Sequence, residues 1–138
     1  MADEQLPRAP RVLVIDDEMA IRAALKRFFT RRGWEYDEAA DGRSALDKLL
    51  ASPVEEGTGY QVVICDLRMP QCSGLELHRE LTAARPELTR RLIFSTGDIV
   101  SPEVAAFLAG IDRPVLEKPF ELSALADAVA RVTGTRET

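Results

Sequence analysis

The sequence predicts an α/β fold: a parallel β-sheet with helices on both faces. Two observations carry this. Apolar strand-like runs and amphipathic helical patterns alternate five times along the 138 residues, the pattern that strand–helix–strand crossovers produce. One run, Tyr60-Gln61-Val62-Val63-Ile64-Cys65, is largely apolar on both faces and stops abruptly at Asp66, as a central strand buried on both sides does.

The elements follow in order. Residues 1–10 carry Pro7 and Pro10 among polar residues and read as a flexible lead-in. Arg11 to Ile15 is a short strand that runs into Asp16-Asp17-Glu18. A helix follows through Ile21, Leu25, Phe28 and Phe29, with Asp17 suited to its N-cap and Gly33 closing it. Trp34 to Ala39 alternates in polarity and reads as a half-exposed strand. Asp41-Gly42 is a turn, and Arg43 to Leu50 a short helix with Ala45, Leu46, Leu49 and Leu50 as its apolar positions. Residues 51–59, with Pro53, Gly57 and Gly59, form a loop to which no function is assigned.

After the organising strand and Pro70, Ser73-Gly74 opens a third helix, apolar at Leu75, Leu77 and Leu81 and ending before Pro86. Arg91 to Asp98 is a fourth strand with its turn. Ser101-Pro102-Glu103 starts a helix with a serine cap and proline at the first helical position. That helix carries Val104, Phe107 and Leu108 and stops at Gly110. Pro114 to Phe120 is a fifth strand ending in Lys118, and Leu122 to Val132 a last helix with Leu122, Leu125, Ala126 and Val129 in one core-facing stripe. The expected organisation is one domain over 11–132 and a polar tail over 133–138.

Composition narrows the class. Hydrophobic residues make up 46% and charged residues 30%, a soluble globular profile. A net charge of −5 argues against a nucleic-acid-binding surface, which needs a basic patch. No apolar run approaches the roughly 20 residues that span a bilayer. The acidic N-terminus has no signal-peptide core, so the expected location is cytoplasmic. The two cysteines, Cys65 and Cys72, are too few for a disulfide framework. Cys65 reads as a buried small hydrophobe and Cys72 as a free thiol on a loop. His78, the single histidine, reads as a surface or boundary residue of the third helix.

Four of the five predicted strands end in a polar group suited to phosphoryl chemistry: Asp16 and Asp17, Asp66, Thr96, and Lys118. Parallel strands gather these at one sheet edge, where ligands of open α/β sheets bind. Carboxylates brought that close repel one another, and a divalent cation relieves the repulsion. Oxygen donors suit Mg²⁺, which shares its coordination shell with phosphate. Lys118 supplies positive charge for phosphate oxygens, and the Thr96 hydroxyl and nearby amides supply donors. In this setting Asp66 is a carboxylate nucleophile that would form an acyl phosphate.

The motifs Val14-Ile15-Asp16-Asp17-Glu18, Asp66-Leu67-Arg68-Met69-Pro70 with Ser73-Gly74, Ser95-Thr96-Gly97 and Lys118-Pro119-Phe120 occur in this order, each after an apolar strand. Over residues 11 to about 132 the chain resembles the receiver domains of two-component response regulators. The resemblance implies a flavodoxin-like (βα)₅ fold with strand order 2-1-3-4-5. It implies that Asp66 accepts a phosphoryl group from the phosphohistidine of a histidine kinase or histidine phosphotransfer domain. It further implies that Asp16, Asp17, Asp66 and the backbone carbonyl of Arg68 bind Mg²⁺, that Thr96 reorients towards the phosphoryl group and that Lys118 pairs with it. The chain would then be no stand-alone enzyme. It would signal to a downstream protein, as a stand-alone receiver or as the C-terminal receiver of a hybrid histidine kinase. The resemblance points to the fourth helix, fifth strand and last helix as the face for such a partner or a homodimer.

The alternatives fit less well. An aspartate-nucleophile phosphatase wants a second acid two residues on, where Arg68 stands. A nucleotide-binding protein wants a glycine-rich phosphate loop after the first strand, which is absent. A non-phosphorylated interaction module on the same fold is favoured only by Val115, which occupies the position where many receivers carry a switching Tyr or Phe. Arg68 and Asp98, two residues after the nucleophile and the threonine, carry opposite charges that would shield the site from water. Arg68→Ala is therefore expected to raise the autodephosphorylation rate, and an unchanged acyl-phosphate half-life would count against that role.

Overall fold

The computed structural model describes residues 9–53, 59–69, 72–97 and 101–134. Five strands, β1 (Arg11–Ile15), β2 (Glu35–Ala39), β3 (Val62–Asp66), β4 (Leu92–Thr96) and β5 (Val115–Glu117), alternate with helices α1 (Met19–Arg31), α2 (Gly42–Leu50), α3 (Gly74–Ala84), α4 (Pro102–Ala109) and α5 (Leu122–Thr133). The sheet runs β2-β1-β3-β4-β5 with every neighbouring pair parallel. This is the expected 2-1-3-4-5 order.

The period-2 alternation of the strands sorts the core into two layers. Leu13, Ile15, Val63, Cys65, Leu92 and Phe94 face α2, α3 and α4, where Ala45, Leu46, Leu49, Leu77, Leu81 and Val104 meet them. Val12, Val14, Val62, Ile64 and Ile93 face α1 and α5, where Leu25, Phe28, Phe29, Leu125 and Ala128 meet them. Strands β3 and β4 are buried along their whole length, their apolar residues in the core and Asp66, Ser95 and Thr96 at their carboxyl ends. In the edge strand β2 only Ala39 is buried, with Tyr36 and Asp37 partly so.

Local chemistry sets the helix ends. Asp41 caps α2 by accepting a hydrogen bond from the Ser44 amide at 2.8 Å. Ser73 and Glu76 form a reciprocal capping box on α3. Ser101 caps α4, with Pro102 at its first position. Gly33, at a φ of 83°, turns the chain out of α1 in a conformation that costs glycine little.

Several sequence expectations change. Asp17 does not cap α1: Glu18 holds the N-cap position, without a side-chain cap bond, and Asp17 is left exposed beside the site. Leu122 is not core. It is 54% exposed, and the buried positions of α5 are Leu125 and Ala128, with Ala126 and Val129 packed at the margin. A short 3₁₀ turn, Pro86–Arg91, precedes β4, which therefore begins at Leu92. Cys72 is a free thiol on a loop as expected, yet buried in the first core layer. Thr133 belongs to α5 rather than to the tail. Asp98, residues 1–8, 54–58 and 135–138 lie outside the described residues, and with them the Arg68–Asp98 pairing.

Phe29 is fully buried, with edge-on ring contacts to Phe28 and Trp34 at centroid distances of 5.0 and 5.1 Å. Phe29→Ala should cost about 3–5 kcal/mol of folding stability, measured by urea denaturation followed through Trp34 fluorescence.

Candidate functional site

The sheet order reverses direction between β1 and β3, and the crevice beyond their carboxyl ends is where the candidate residues gather. Asp66 is the last residue of β3, and Asp16 follows β1 directly. Both are buried, with 5% and 2% of their surfaces exposed. Thr96 ends β4 and is fully buried. Lys118 follows β5, and its amide donates to the Thr96 carbonyl at 2.8 Å, which registers the lysine on the strand end.

The Lys118 ammonium is the centre of the site. Its Nζ lies 2.9 Å from Asp16 Oδ2, 3.0 Å from Glu18 Oε2 and 3.0 Å from Asp66 Oδ2. An ammonium has three donors, so three carboxylates satisfy it fully. The other oxygens are held by backbone: the Glu18 amide donates to Asp16 Oδ1 at 2.9 Å, and the Arg68 amide donates to Asp66 Oδ1 at 3.1 Å. Arg22 braces the first acid from behind, with Nη1 donating to the Asp16 carbonyl at 2.8 Å while Nε lies 3.3 Å from Glu38.

The charges shift accordingly. Burial pushes the Asp16 carboxyl above its ordinary pKa, against the Glu18 amide and Lys118, which favour the anion; Asp66 adds to the rise. Burial alone would lower the pKa of Lys118, but its hydrogen bonds to Asp16, Asp66 and Glu18 outweigh it and hold the ammonium above the usual lysine range. Cys65, wholly buried beside Asp66, has its thiol raised by burial and is inert. His78 is half-buried, its ring 5.2 Å from Phe107 and 6.0 Å from Phe94, and burial lowers its pKa. It is the boundary residue the sequence suggested.

The structure thus brings together Asp16, Asp66, Thr96 and Lys118, with Asp17 at the exposed rim and the Arg68 backbone against the Asp66 carboxylate. Sequence reasoning missed Glu18 and Arg22. Glu18 had a weak signal as the third acid of one run; Arg22 had none. One carboxylate oxygen from each of Asp16, Asp17, Glu18 and Asp66 lies within 4.8 Å of the others. An all-oxygen, anionic set of this kind fits a hard divalent cation.

A family model described as the response regulator receiver domain matches residues 12–130. The chain belongs to the response regulator receiver domain family. Among curated relatives, the receiver domain is 39% identical over 115 residues to the response regulator MprA of Mycolicibacterium vanbaalenii, and 35% identical over the same length to MprA of Mycobacterium bovis. Each match covers 83% of this chain and 46% of the relative, so the chain spans just under half their length. Among solved structures it resembles response regulator TrrA from Thermotoga maritima in complex with Mg²⁺-BeF, at 29% identity and a TM-score of 0.71, covering 89% of this chain and 98% of that one. The receiver domain of a Pseudomonas aeruginosa sensor histidine kinase, with magnesium coordinated in its active-site cleft, shares the fold at 20% identity and a TM-score of 0.77, covering 92% and 99%. Among the described residues, no helix of this receiver domain is long and apolar enough to cross a membrane.

The raised pKa of Asp16 has a stability consequence. A carboxyl whose folded pKa is raised contributes stability below its ordinary pKa, and this is lost as pH rises through the folded value. At neutral pH the Asp16 charge therefore costs stability. Asp16→Asn should be more stable than wild type to urea at pH 7 in EDTA, with the gain shrinking as the pH falls into the carboxylate range. It should also gain less than wild type when Mg²⁺ is added.

Proposed function

We propose that this receiver domain is phosphorylated on Asp66 by the phosphohistidine of a histidine kinase or a histidine phosphotransfer domain, and that Mg²⁺ assists. The observation that carries the reading is the convergence of Asp16, Glu18 and Asp66 on the Lys118 ammonium at 2.9–3.0 Å, at the carboxyl edge that also presents Thr96.

Asp16, Asp17 and Asp66, with the Arg68 carbonyl, would hold the cation, which offsets charge on the phosphoryl oxygens when bound. The chain's own groups do the rest. An Asp66 carboxylate oxygen attacks phosphorus, the phosphorus–nitrogen bond of the donor breaks, and the imidazole nitrogen leaves with the electron pair and takes a proton. The Arg68 amide orients the carboxylate through Oδ1. Lys118 already points at the acceptor, so it moves little to meet the new phosphoryl oxygens. The Thr96 hydroxyl is the donor that reorients towards them.

The domain acts as an acceptor rather than a stand-alone enzyme, turning over only through its own dephosphorylation. Its output face is the one formed by α4, β5 and α5, used by a downstream protein or a second copy. The exposed Val115 (37%) and Leu122 (54%) lie on elements of that face. The proposed setting is cytoplasmic, without direct nucleic-acid contact by this domain.

Incubation with Mg²⁺ and acetyl phosphate should give an acid-stable, base-labile adduct that is lost in Asp66→Asn. No adduct on the wild-type chain would sink the reading. Phosphate release from diverse monoesters would instead indicate a phosphatase.

A further inference from the structure

Two glycines, on different βα units, grip the loop that leaves Asp66. At one end, the Gly74 amide donates to the Leu67 carbonyl at 3.1 Å. A Cβ on Gly74 would lie 2.7 Å from the Asp66 carbonyl oxygen and 2.8 Å from Leu67 Cα. At the other end, Gly42, the first residue of α2, meets the backbone of Cys72. A Cβ there would lie 1.7 Å from the Cys72 carbonyl oxygen, 2.6 Å from its carbon and 2.7 Å from Cys72 Cβ. The obstacle is backbone that cannot rotate away. Gly42 is not among the glycines with positive φ, so the need for glycine is the close approach and not the backbone conformation.

Position 42 is otherwise open to any residue. It begins a helix already capped by Asp41, where alanine outranks glycine in helix propensity. The Cys72 side that it meets is buried, 4% exposed, in the core layer shared with Cys65 and Leu67. Leu67 is thus tied to Gly74, and Cys72 is seated against Gly42 of α2. Between these points lies Arg68, whose amide holds Asp66 Oδ1 and whose carbonyl is the expected cation ligand.

We propose that Gly42 is a positioning residue of the Asp66 site: its lack of a side chain lets α2 set where the loop carrying Arg68 stands relative to the acidic group. The inference rests on the phosphoacceptor reading of Asp66 for its functional meaning, but its structural part can be read alone. Any side chain at 42 displaces the Cys72 carbonyl, and with it the loop that aligns the carboxylate and completes the cation site.

The test compares wild type with Gly42→Ala in two measurements. In amide ¹H–¹⁵N correlation spectra the substitution should shift the amides of residues 66–69 and 72–74 on the neighbouring unit, not only those of α2. In calorimetric titration with Mg²⁺ it should weaken affinity about 10-fold, the scale on which supporting residues act on metal sites. A folded Gly42→Ala chain with unmoved 66–74 amides, or with wild-type Mg²⁺ affinity, overturns the proposal. Should that variant fail to fold, the double variant Gly42→Ala/Cys72→Gly, which removes the Cys72 Cβ from the path of the added one and lets the Cys72 backbone yield, decides by the 66–69 amides and the Mg²⁺ affinity, and unchanged values of either overturn the proposal. Failure of the phosphoacceptor reading looks different: the wild-type chain itself would bind no Mg²⁺ and form no adduct, while the amide shifts would still report whether Gly42 sets the loop.

Discussion

The site depends on one ammonium held by three carboxylates. Asp16, Glu18 and Asp66 stand close enough to repel one another strongly, and two of them are buried where water cannot screen them. Lys118 answers that repulsion from within the chain, spending all three of its donors. A buried ion cluster of this kind is costly to desolvate, and in Asp16 that cost outweighs what the Glu18 amide and Lys118 return. A divalent cation and the lysine then serve the same purpose from two sides, and a phosphoryl group brings negative charge into a place already furnished to receive it.

That arrangement is possible only in this strand order. Asp16 and Asp66 meet because β1 and β3 are neighbours, paired from Val12–Val62 to Ile15–Cys65. Lys118 comes from the far edge of the sheet, two strands from β3. It reaches Asp66 because β4 ends at Thr96, whose carbonyl takes the Lys118 amide, and the long lysine chain spans the remaining gap. The fully buried β3 and β4 fix the floor, so the polar ends have little freedom to drift. Precision at the site is inherited from packing that takes no part in it.

What could be read in advance follows from the same division. Asp16, Asp66, Thr96 and Lys118 were legible because each interrupts or ends an apolar run, and a break in hydrophobic periodicity is a positional statement. Glu18 was not, since a third acid beyond a strand has no periodic frame to say where its side chain points. Arg22 is a charged residue in line with Leu25 and Phe29 on the helix, and only the fold shows it turned back to the Asp16 carbonyl. Leu122 failed for a different reason. Period 3.6 identifies the inner stripe of α5, but not where along the helix the core stops covering it, and the stripe is buried at Leu125 and Ala128 and open at Leu122. The seat of Cys72 on Gly42 was equally hidden, because a close approach between two backbones leaves no mark except a glycine that resembles any turn glycine.

Val115 stands on β5 with Leu116 and Glu117, so that strand carries no ring. With no ring on β5, the aromatic mass near the site sits one strand inward. Phe94 lies two residues before Thr96, hence on the same face of β4, and its ring contacts Phe107 edge-on at 5.3 Å and His78 at 6.0 Å. Phe107 belongs to α4, whose single buried residue is Val104; α1, α2, α3 and α5 each bury two or more. Regions with few buried apolar contacts open at the lowest free energy. A displacement at the end of β4 therefore meets least resistance along α4, the helix that follows Thr96 in the chain and leans on the ring directly beneath it.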